Sequence, residues 1–445
     1  MINDADSVYL ALLTENVNDL LQKGRYEQAL PLCQQALELS EKRLGPENQH
    51  TLAFLNCLAQ VYLALNRYDE AISLLRQALP VAEKVFGSEN LMIVTFLNGL
   101  ARSYLAQGDY LQAEPLFQRL LTLAEKYAGQ AEVALVLNDL AQVYEGKGEY
   151  ARAENLYRRV LAICERERRT EPMGIIVVLH NLGKMCIRQA SYLEAETLLQ
   201  RGLALCERSI GLGNDAGVSY LNTLAWLYRL QGQYAQAEKL FLRASAMSDR
   251  IFGPRHITTA RILSNGGDLY YEQRKYPQAE HLCRQALSIY ESTFGTESPN
   301  TGSILNTLGL IALEQGHYTQ AEALFQRLLA MDEQISGSEN PDKATLLNNL
   351  GLLYERQRRD EEAESYYRQA LATGRQVPGD PHPSIAISLE NLANLYDQQG
   401  RYQDAFPLYE EAIAVFQKTH GAKHPFTEKV TWLSLAAKKK KGEER

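Results

Sequence analysis

The sequence predicts an all-α fold: a solenoid of about ten stacked helical hairpins closed by one further helix. Three observations predict it. First, a Tyr followed three residues later by Ala recurs along the chain, at Tyr26, Tyr68, Tyr110, Tyr150, Tyr192, Tyr234, Tyr276, Tyr318 and Tyr402, paired with Ala29, Ala71, Ala113, Ala153, Ala195, Ala237, Ala279, Ala321 and Ala405. The step is 42 residues, apart from one of 40 between Tyr110 and Tyr150, and a tenth unit keeps Ala363 but has Asp360 in the aromatic place. Second, the segments flanking each anchor carry apolar residues at helical spacing, and none alternates as a strand would. Third, the chain has 445 residues, more than the ~250–300 that one hydrophobic core holds. A row of small repeated cores satisfies all three.

Each unit reads as two helices. In Leu55-Asn56-Cys57-Leu58-Ala59-Gln60-Val61-Tyr62 the apolar residues fall at i, i+3, i+4 and i+7, the pattern of an amphipathic first helix. A small residue stands nine before the anchor (Ala59, Ala101, Ala141, Gly183, Ala225, Gly267, Gly309, Gly351, Ala393), and most units have an aromatic six before it (Tyr62, Tyr104, Tyr144, Tyr228, Tyr270, Tyr354, Tyr396). Small residues let helices approach closely, and rings fill the space beside them. The turn is often Gln-Gly-x-Tyr, as at Gln107-Gly108-Asp109-Tyr110, where a left-handed Gly ends the first helix. The second helix carries the Tyr, the Ala and often a bulky residue seven after the anchor (Phe117, Tyr157, Phe241, Phe325, Tyr367, Tyr409).

The second helix closes at a glycine nineteen after the anchor: Gly45, Gly87, Gly129, Gly211, Gly253, Gly295, Gly337, Gly379 and Gly421. Three residues on, Asn48, Asn90, Asn214, His256, Ser298, Asn340, His382 and His424 occupy the place of a helix N-cap, and Asp6 holds the same phase before unit one. Pro follows directly at Pro299, Pro341, Pro383 and Pro425, which suits a first helical position. Residues 1–424 thus divide into ten units. Residues 425–438 read as a closing helix with Val430, Leu433 and Leu435 turned onto unit ten, and residues 439–445 as a charged tail. Lys438 to Lys441 complement the negative end of that helix. Glu443 and Glu444 argue against a nuclear-import or membrane-surface reading of the tail. Two irregularities, the shortened loop at Gly129-Gln130 and the glycine-free Arg166–Pro172, predict a local change of curvature near residues 128–175.

The Leu and small residue of the first helix, the Gly-x-Tyr-x-x-Ala turn and the later aromatic together resemble the tetratricopeptide repeat, over residues 6 to about 425. That family has 34-residue units. The 42-residue form is similar to the kinesin light chain subgroup, and Gly379-Asp380-Pro381-His382-Pro383 and Gly421-Ala422-Lys423-His424-Pro425 keep that subgroup's Gly-x-x-His-Pro element. The resemblance implies a right-handed α-α superhelix, first helices lining its concave face, and protein or peptide binding there. Kinesin light chains join a motor through a heptad coiled coil ahead of the repeats; this sequence opens directly in unit one, so a motor role is not expected.

Composition narrows the function. Net charge is −8 with 22% charged residues, which disfavours a general nucleic-acid binder. The six Cys form no CxxC pair and fit a reducing compartment; Cys33, Cys186 and Cys283 fall on core phases. No apolar run approaches the ~20 residues of a membrane helix, and the opening Met1–Asp6 lacks the basic and apolar regions of a signal peptide, so a cytoplasmic location is expected. No phosphate loop or His-Glu-x-x-His occurs; Gly211–Gly217 is glycine-rich but joins helices, where a dinucleotide site needs a preceding strand. His420 and His424 are interrupted by Gly421. No enzyme activity, cofactor or metal is expected.

A polar phase lies twelve before each anchor: Asn56, Asn98, Asn138, Asn222, Asn306 and Asn348, with Thr14, His180, Ser264 and Glu390 in the other units. Asn is a poor helix former and holds such a place when its side chain bonds something. An amide both donates and accepts. The column therefore reads either as a set of bonds to neighbouring units or, as the resemblance implies, as bonds to a peptide backbone. Lys184, Arg188, Trp226, Arg229 and Tyr271, with Arg261, would surround a peptide in units five to seven. They suit an acidic segment with an apolar or aromatic anchor. The leading expectation is a non-catalytic scaffold that binds a partner's peptide segment. The alternative is a sensor that binds a small peptide or metabolite and changes pitch; self-association is a further reading.

Overall fold

A computed structural model describes residues 4–166, 172–296, 301–335, 341–376, 383–420 and 425–443. Every regular element among them is helical. In order, the chain forms α1 (Asp4–Gln22), α2 (Tyr26–Leu44), α3 (Gln49–Ala64), α4 (Tyr68–Phe86), α5 (Val94–Gln107, preceded by a 3-10 turn at Leu91–Ile93), α6 (Tyr110–Tyr127), α7 (Gln130–Gly146), α8 (Tyr150–Arg166), α9 (Pro172–Arg188), α10 (Tyr192–Ser209) and α11 (Asp215–Leu230). It continues with α12 (Tyr234–Ile251), α13 (Ile257–Glu272), α14 (Tyr276–Phe294), α15 (Gly302–Glu314), α16 (Tyr318–Ile335), α17 (Pro341–Arg356), α18 (Asp360–Gln376), α19 (Pro383–Gln398), α20 (Tyr402–His420) and α21 (Pro425–Glu443). The fold is an all-α helical-repeat array in two compact blocks, Met1–Leu227 and Tyr228–Arg445.

The repeat phases have one physical cause. Each anchor Tyr opens the second helix of its unit, and the Ala one turn later is completely buried in all ten units. The small phase of the first helix meets the bulky phase of the second helix in the same unit. A Cβ on Gly183 would come within 2.6 Å of Leu199, and one on Gly351 within 2.5 Å of the Tyr367 ring; Gly309 faces Phe325 and Gly267 faces Cys283 in the same way. A large residue at one phase thus requires a small one at the other, because packed interiors leave no slack.

The hairpin turn needs one left-handed residue. Gly108 takes it at φ 78°, but Asn66, Ala190, Arg274 and Arg358 take it with φ between 56° and 61°. At the other helix starts, Asn48 accepts from the His50 N–H, Asn90 from the Met92 N–H, Asn214 from the Gly217 N–H and His256 Nδ1 from the Thr258 N–H. The cap positions Ser298, Asn340, His382 and His424, the glycines 337, 379 and 421, and most of the loop after unit four lie outside the described residues.

Two expectations need correction. Asp6 is not a cap, because α1 already begins at Asp4. Leu435 does not turn onto unit ten: it is exposed, while Val430, Ser434 and Ala437 are buried. Those three share one stripe at i, i+4 and i+7, and Leu435 stands one residue off it. The helix also continues past 438 to Glu443, and Lys440 pairs with Asp397 at 2.8 Å.

Candidate functional site

In the N-terminal block, α5, α7 and α9 and the starts of α6 and α8 enclose an open cleft of about 710 Å³. Its walls carry Arg102, Tyr110, Asp139, Glu145, Tyr150, Lys184 and Arg188. Gly146 admits the Tyr110 ring, which would overlap any side chain there. Most charges are matched across neighbouring first helices. Arg102 Nε donates to Asp139 Oδ2 at 2.9 Å, and Lys184 Nζ pairs with Glu145 Oε1 at 2.7 Å. Arg188 is exposed, has no ion pair among the described residues and lies 5.2 Å over the half-buried Trp226 ring. The cleft therefore presents one surplus cation beside an aromatic face.

The structure brings Lys184, Arg188 and Trp226 to one place in the N-terminal block. Sequence reasoning missed Glu145, the partner of Lys184, and the Arg102–Asp139 pair beside it. The missing signal was charge complementarity at an offset near one repeat: Arg102 and Asp139 are 37 apart, and Glu145 and Lys184 are 39 apart.

In the C-terminal block the expected basic wall takes a different form. Arg229 pairs with Glu272 and faces Asp268, whose carboxyl burial raises while Arg229 opposes the shift. Burial likewise raises the Glu272 carboxyl against the pull of Arg229. Arg229 thus neutralises its own block's acids. Tyr271 packs near Tyr276, ring centroids 6.0 Å apart, and burial pushes its hydroxyl up to about 12. Arg261 is exposed.

The asparagine column divides. Asn348 Nδ2 donates to Ser388 Oγ at 2.8 Å, and Asn306 Oδ1 accepts from Asn349 Nδ2 at 2.7 Å, both to the next unit's first helix. His180 does the same with the Thr223 hydroxyl at 2.8 Å. Asn222 is buried. Asn56 and Asn98 are half-buried with no side-chain hydrogen bond among the described residues. Asn138 reaches only its neighbour Asp139, at 3.4 Å, and its Oδ1 is buried without a partner.

Elsewhere, Glu154, Cys186 and Glu194 place ligand atoms within 4.8 Å of one another, but Arg158 bridges both carboxylates at 2.6 and 2.7 Å, so a cation already fills that place. A second cleft of about 750 Å³ lies among α1, α3 and the end of α2. Among the described residues no helix is long and apolar enough to cross a membrane.

The sequence matches the family model described as Tetratricopeptide repeat over residues 9–84, 92–166, 174–250, 228–292, 258–334 and 342–418. No curated protein is matched. Among solved structures, the apo form of the quorum sensor NprR from B. thuringiensis aligns with TM-score 0.58 at 15% identity, over 79% of this chain and 97% of that one. A Rap protein complexed with competence and sporulation factor aligns with TM-score 0.55 at 14% identity, over 83% and 98%. BtubC (BKLC) from P. vanneervenii aligns with TM-score 0.41 at 20% identity, over 53% and 92%.

Proposed function

The chain belongs to the tetratricopeptide repeat family, and from that premise we propose that it is a non-catalytic scaffold holding a partner's peptide segment against its first helices. The observation that carries this reading is Arg188. Among the described residues it is the cation of the cleft left without a carboxylate, and it stacks on Trp226. An acidic segment with an apolar or aromatic anchor would supply the missing charge and cover the ring. Asn56 and Asn98 are the amides left among the described residues to bond its backbone; Asn138 has its oxygen buried, and Asn306 and Asn348 serve the array instead. A kinesin light chain-like role in a cytoplasmic setting is the form of this reading that the 42-residue unit favours.

The test is affinity capture with the whole chain, followed by titration of the captured segment as a synthetic peptide. Arg188→Glu should weaken binding tenfold or more and lower the unfolding midpoint only slightly, since among the described residues Arg188 makes no ion pair and the variant loses only its contact with Trp226, about 0.5–1 kcal/mol. Unchanged affinity would remove the site from this cleft. Arg229→Glu is the poorer probe, because it would set a third carboxylate beside Asp268 and Glu272.

A second reading is favoured by the fold likeness to a quorum sensor and to a Rap protein solved with a bound factor: a regulator that responds to a small peptide. Small-angle scattering separates the two. A sensor compacts on binding, whereas a scaffold keeps its dimensions.

A further inference from the structure

The Sγ atoms of Cys33 on α2 and Cys57 on α3 lie 3.8 Å apart. The first belongs to the second helix of unit one, the second to the first helix of unit two. We propose that this pair is a dithiol modification site: an oxidant of the disulfide class, such as oxidised glutathione, converts it into a disulfide that fastens unit one to unit two.

Geometry supports the step. A disulfide needs the sulfurs at about 2.05 Å, and the two are already in contact, with no other atom between them to displace. The two thiols also differ in access. Cys33 is fully buried in the core of α1, α2 and α3, while Cys57 is half-buried at the edge of the same core. Their contact divides the roles further. Either sulfur could donate across it; with the proton kept on Cys33, the bond holds the Cys57 thiol below its ordinary range and pushes Cys33 well above it, burial adding to the rise at Cys33. A reachable, more acidic thiol attacks first, and the buried neighbour resolves.

The balance is simple. The Cys57 thiolate attacks one sulfur of oxidised glutathione, and the first glutathione leaves. Cys33 then gives up its proton and attacks Cys57 Sγ, and the second glutathione leaves. The two cysteines lose two electrons, the oxidant gains them, and both thiol protons end on the two glutathione molecules. The closed loop spans 24 residues and includes the α2–α3 connection, so the link restrains how unit one moves on unit two.

The experiment treats the whole chain with oxidised glutathione, digests it without reduction and maps the peptides by mass spectrometry. The expected result is a cross-linked pair containing Cys33 and Cys57, lighter by two hydrogens and separated again by dithiothreitol. Amide exchange in α2 and α3 should slow about tenfold on oxidation. Cys57→Ser, at the half-buried position, should abolish the linked pair. A Cys57 that stays as a glutathione mixed disulfide, links to another copy or remains unmodified would overturn the proposal. The map of the unmutated chain decides by itself, so a Cys57→Ser chain that fails to fold leaves the test intact.

Discussion

The Tyr396 hydroxyl donates to Glu364 Oε1 at 2.8 Å, joining the first helix of unit ten to the second helix of unit nine, and Arg401 lies 3.9 Å over the same ring. The arrangement repeats. Tyr144 donates to Glu114 beneath Lys147, Tyr270 to Glu238 beneath Lys275, and Tyr354 to Glu322 beneath Arg359. At these four units the aromatic six before the anchor is thus more than filler. Its ring packs, its hydroxyl reaches the preceding unit, and its face carries the cation from the following turn. Removing the Tyr396 hydroxyl takes away its bond to Glu364 and the one it accepts from Arg368 at 2.9 Å, and leaves the ring packing in place. Tyr396→Phe should cost about 1.5–3 kcal/mol, the range for a hydrogen bond to a charged group, read as a lowered urea midpoint.

The hairpin turns supply a change in the opposite direction. Ala190 sits at φ 58° in the turn between α9 and α10, the place that Gly108 fills between α5 and α6. A Cβ in the left-handed region costs about 1–2 kcal/mol, and glycine removes that strain at some cost in unfolded-chain entropy. Ala190→Gly should therefore stabilise the protein by up to about 1 kcal/mol. Thermal unfolding beside the parent chain checks the sign; a lowered midpoint would show that the entropy cost outweighs the strain.

The limits of the sequence are physical. The Tyr-x-x-Ala spacing and the paired small and bulky phases were legible because they are local and recur in register. That Gly351 makes room for Tyr367 follows only once the hairpin is folded. The turn conformation of Ala190, Arg274 and Arg358 was not legible, because packing of the two flanking helices overrides their own preference. Leu435 was misassigned for want of an exact helical phase. At the site, Lys184, Arg188 and Trp226 could be named from their phases. The Arg229–Glu272 pair spans 43 residues, so what Arg229 is used for was hidden until the helices were set side by side.

Two carboxyls should respond to pH with opposite signs. Burial raises the Asp268 carboxyl, against Arg229 and the Thr307 hydroxyl that donates to it at 2.7 Å. The folded chain then holds a proton that the unfolded chain has released, so stability falls as pH rises from the ordinary Asp value of ~4 through the raised one. Asp268→Asn keeps an acceptor for Thr307 and should raise the melting midpoint at neutral pH, with the gain vanishing in acid. Glu114 is the reverse. The Lys147 ammonium lowers its carboxyl in spite of burial, with help from the Tyr144 hydroxyl. Its contribution is present at neutral pH and is lost as pH falls through the lowered value. Glu114→Gln should lower the midpoint at neutral pH and converge with the parent in acid. Melting curves across pH check both.

The asparagine column gives the sharpest separation of architecture from binding. Asn348 Nδ2 donates to Ser388 Oγ, both groups buried, so Asn348→Ala leaves a cavity and strips a donor. It should cost about 1–3 kcal/mol. Asn98 occupies the same phase of unit three but is half-buried and makes no side-chain hydrogen bond among the described residues. Alanine is the better helix former by up to ~0.7 kcal/mol, so Asn98→Ala should leave stability unchanged or slightly raised. Under the peptide-scaffold reading the same variant should lose one backbone contact, roughly a fivefold to tenfold weakening for ~1 kcal/mol. Denaturant titration and peptide titration on both variants give four numbers. A stable Asn98→Ala that binds its segment as tightly as the parent would remove this amide from the binding face, whatever Asn348 does for the array.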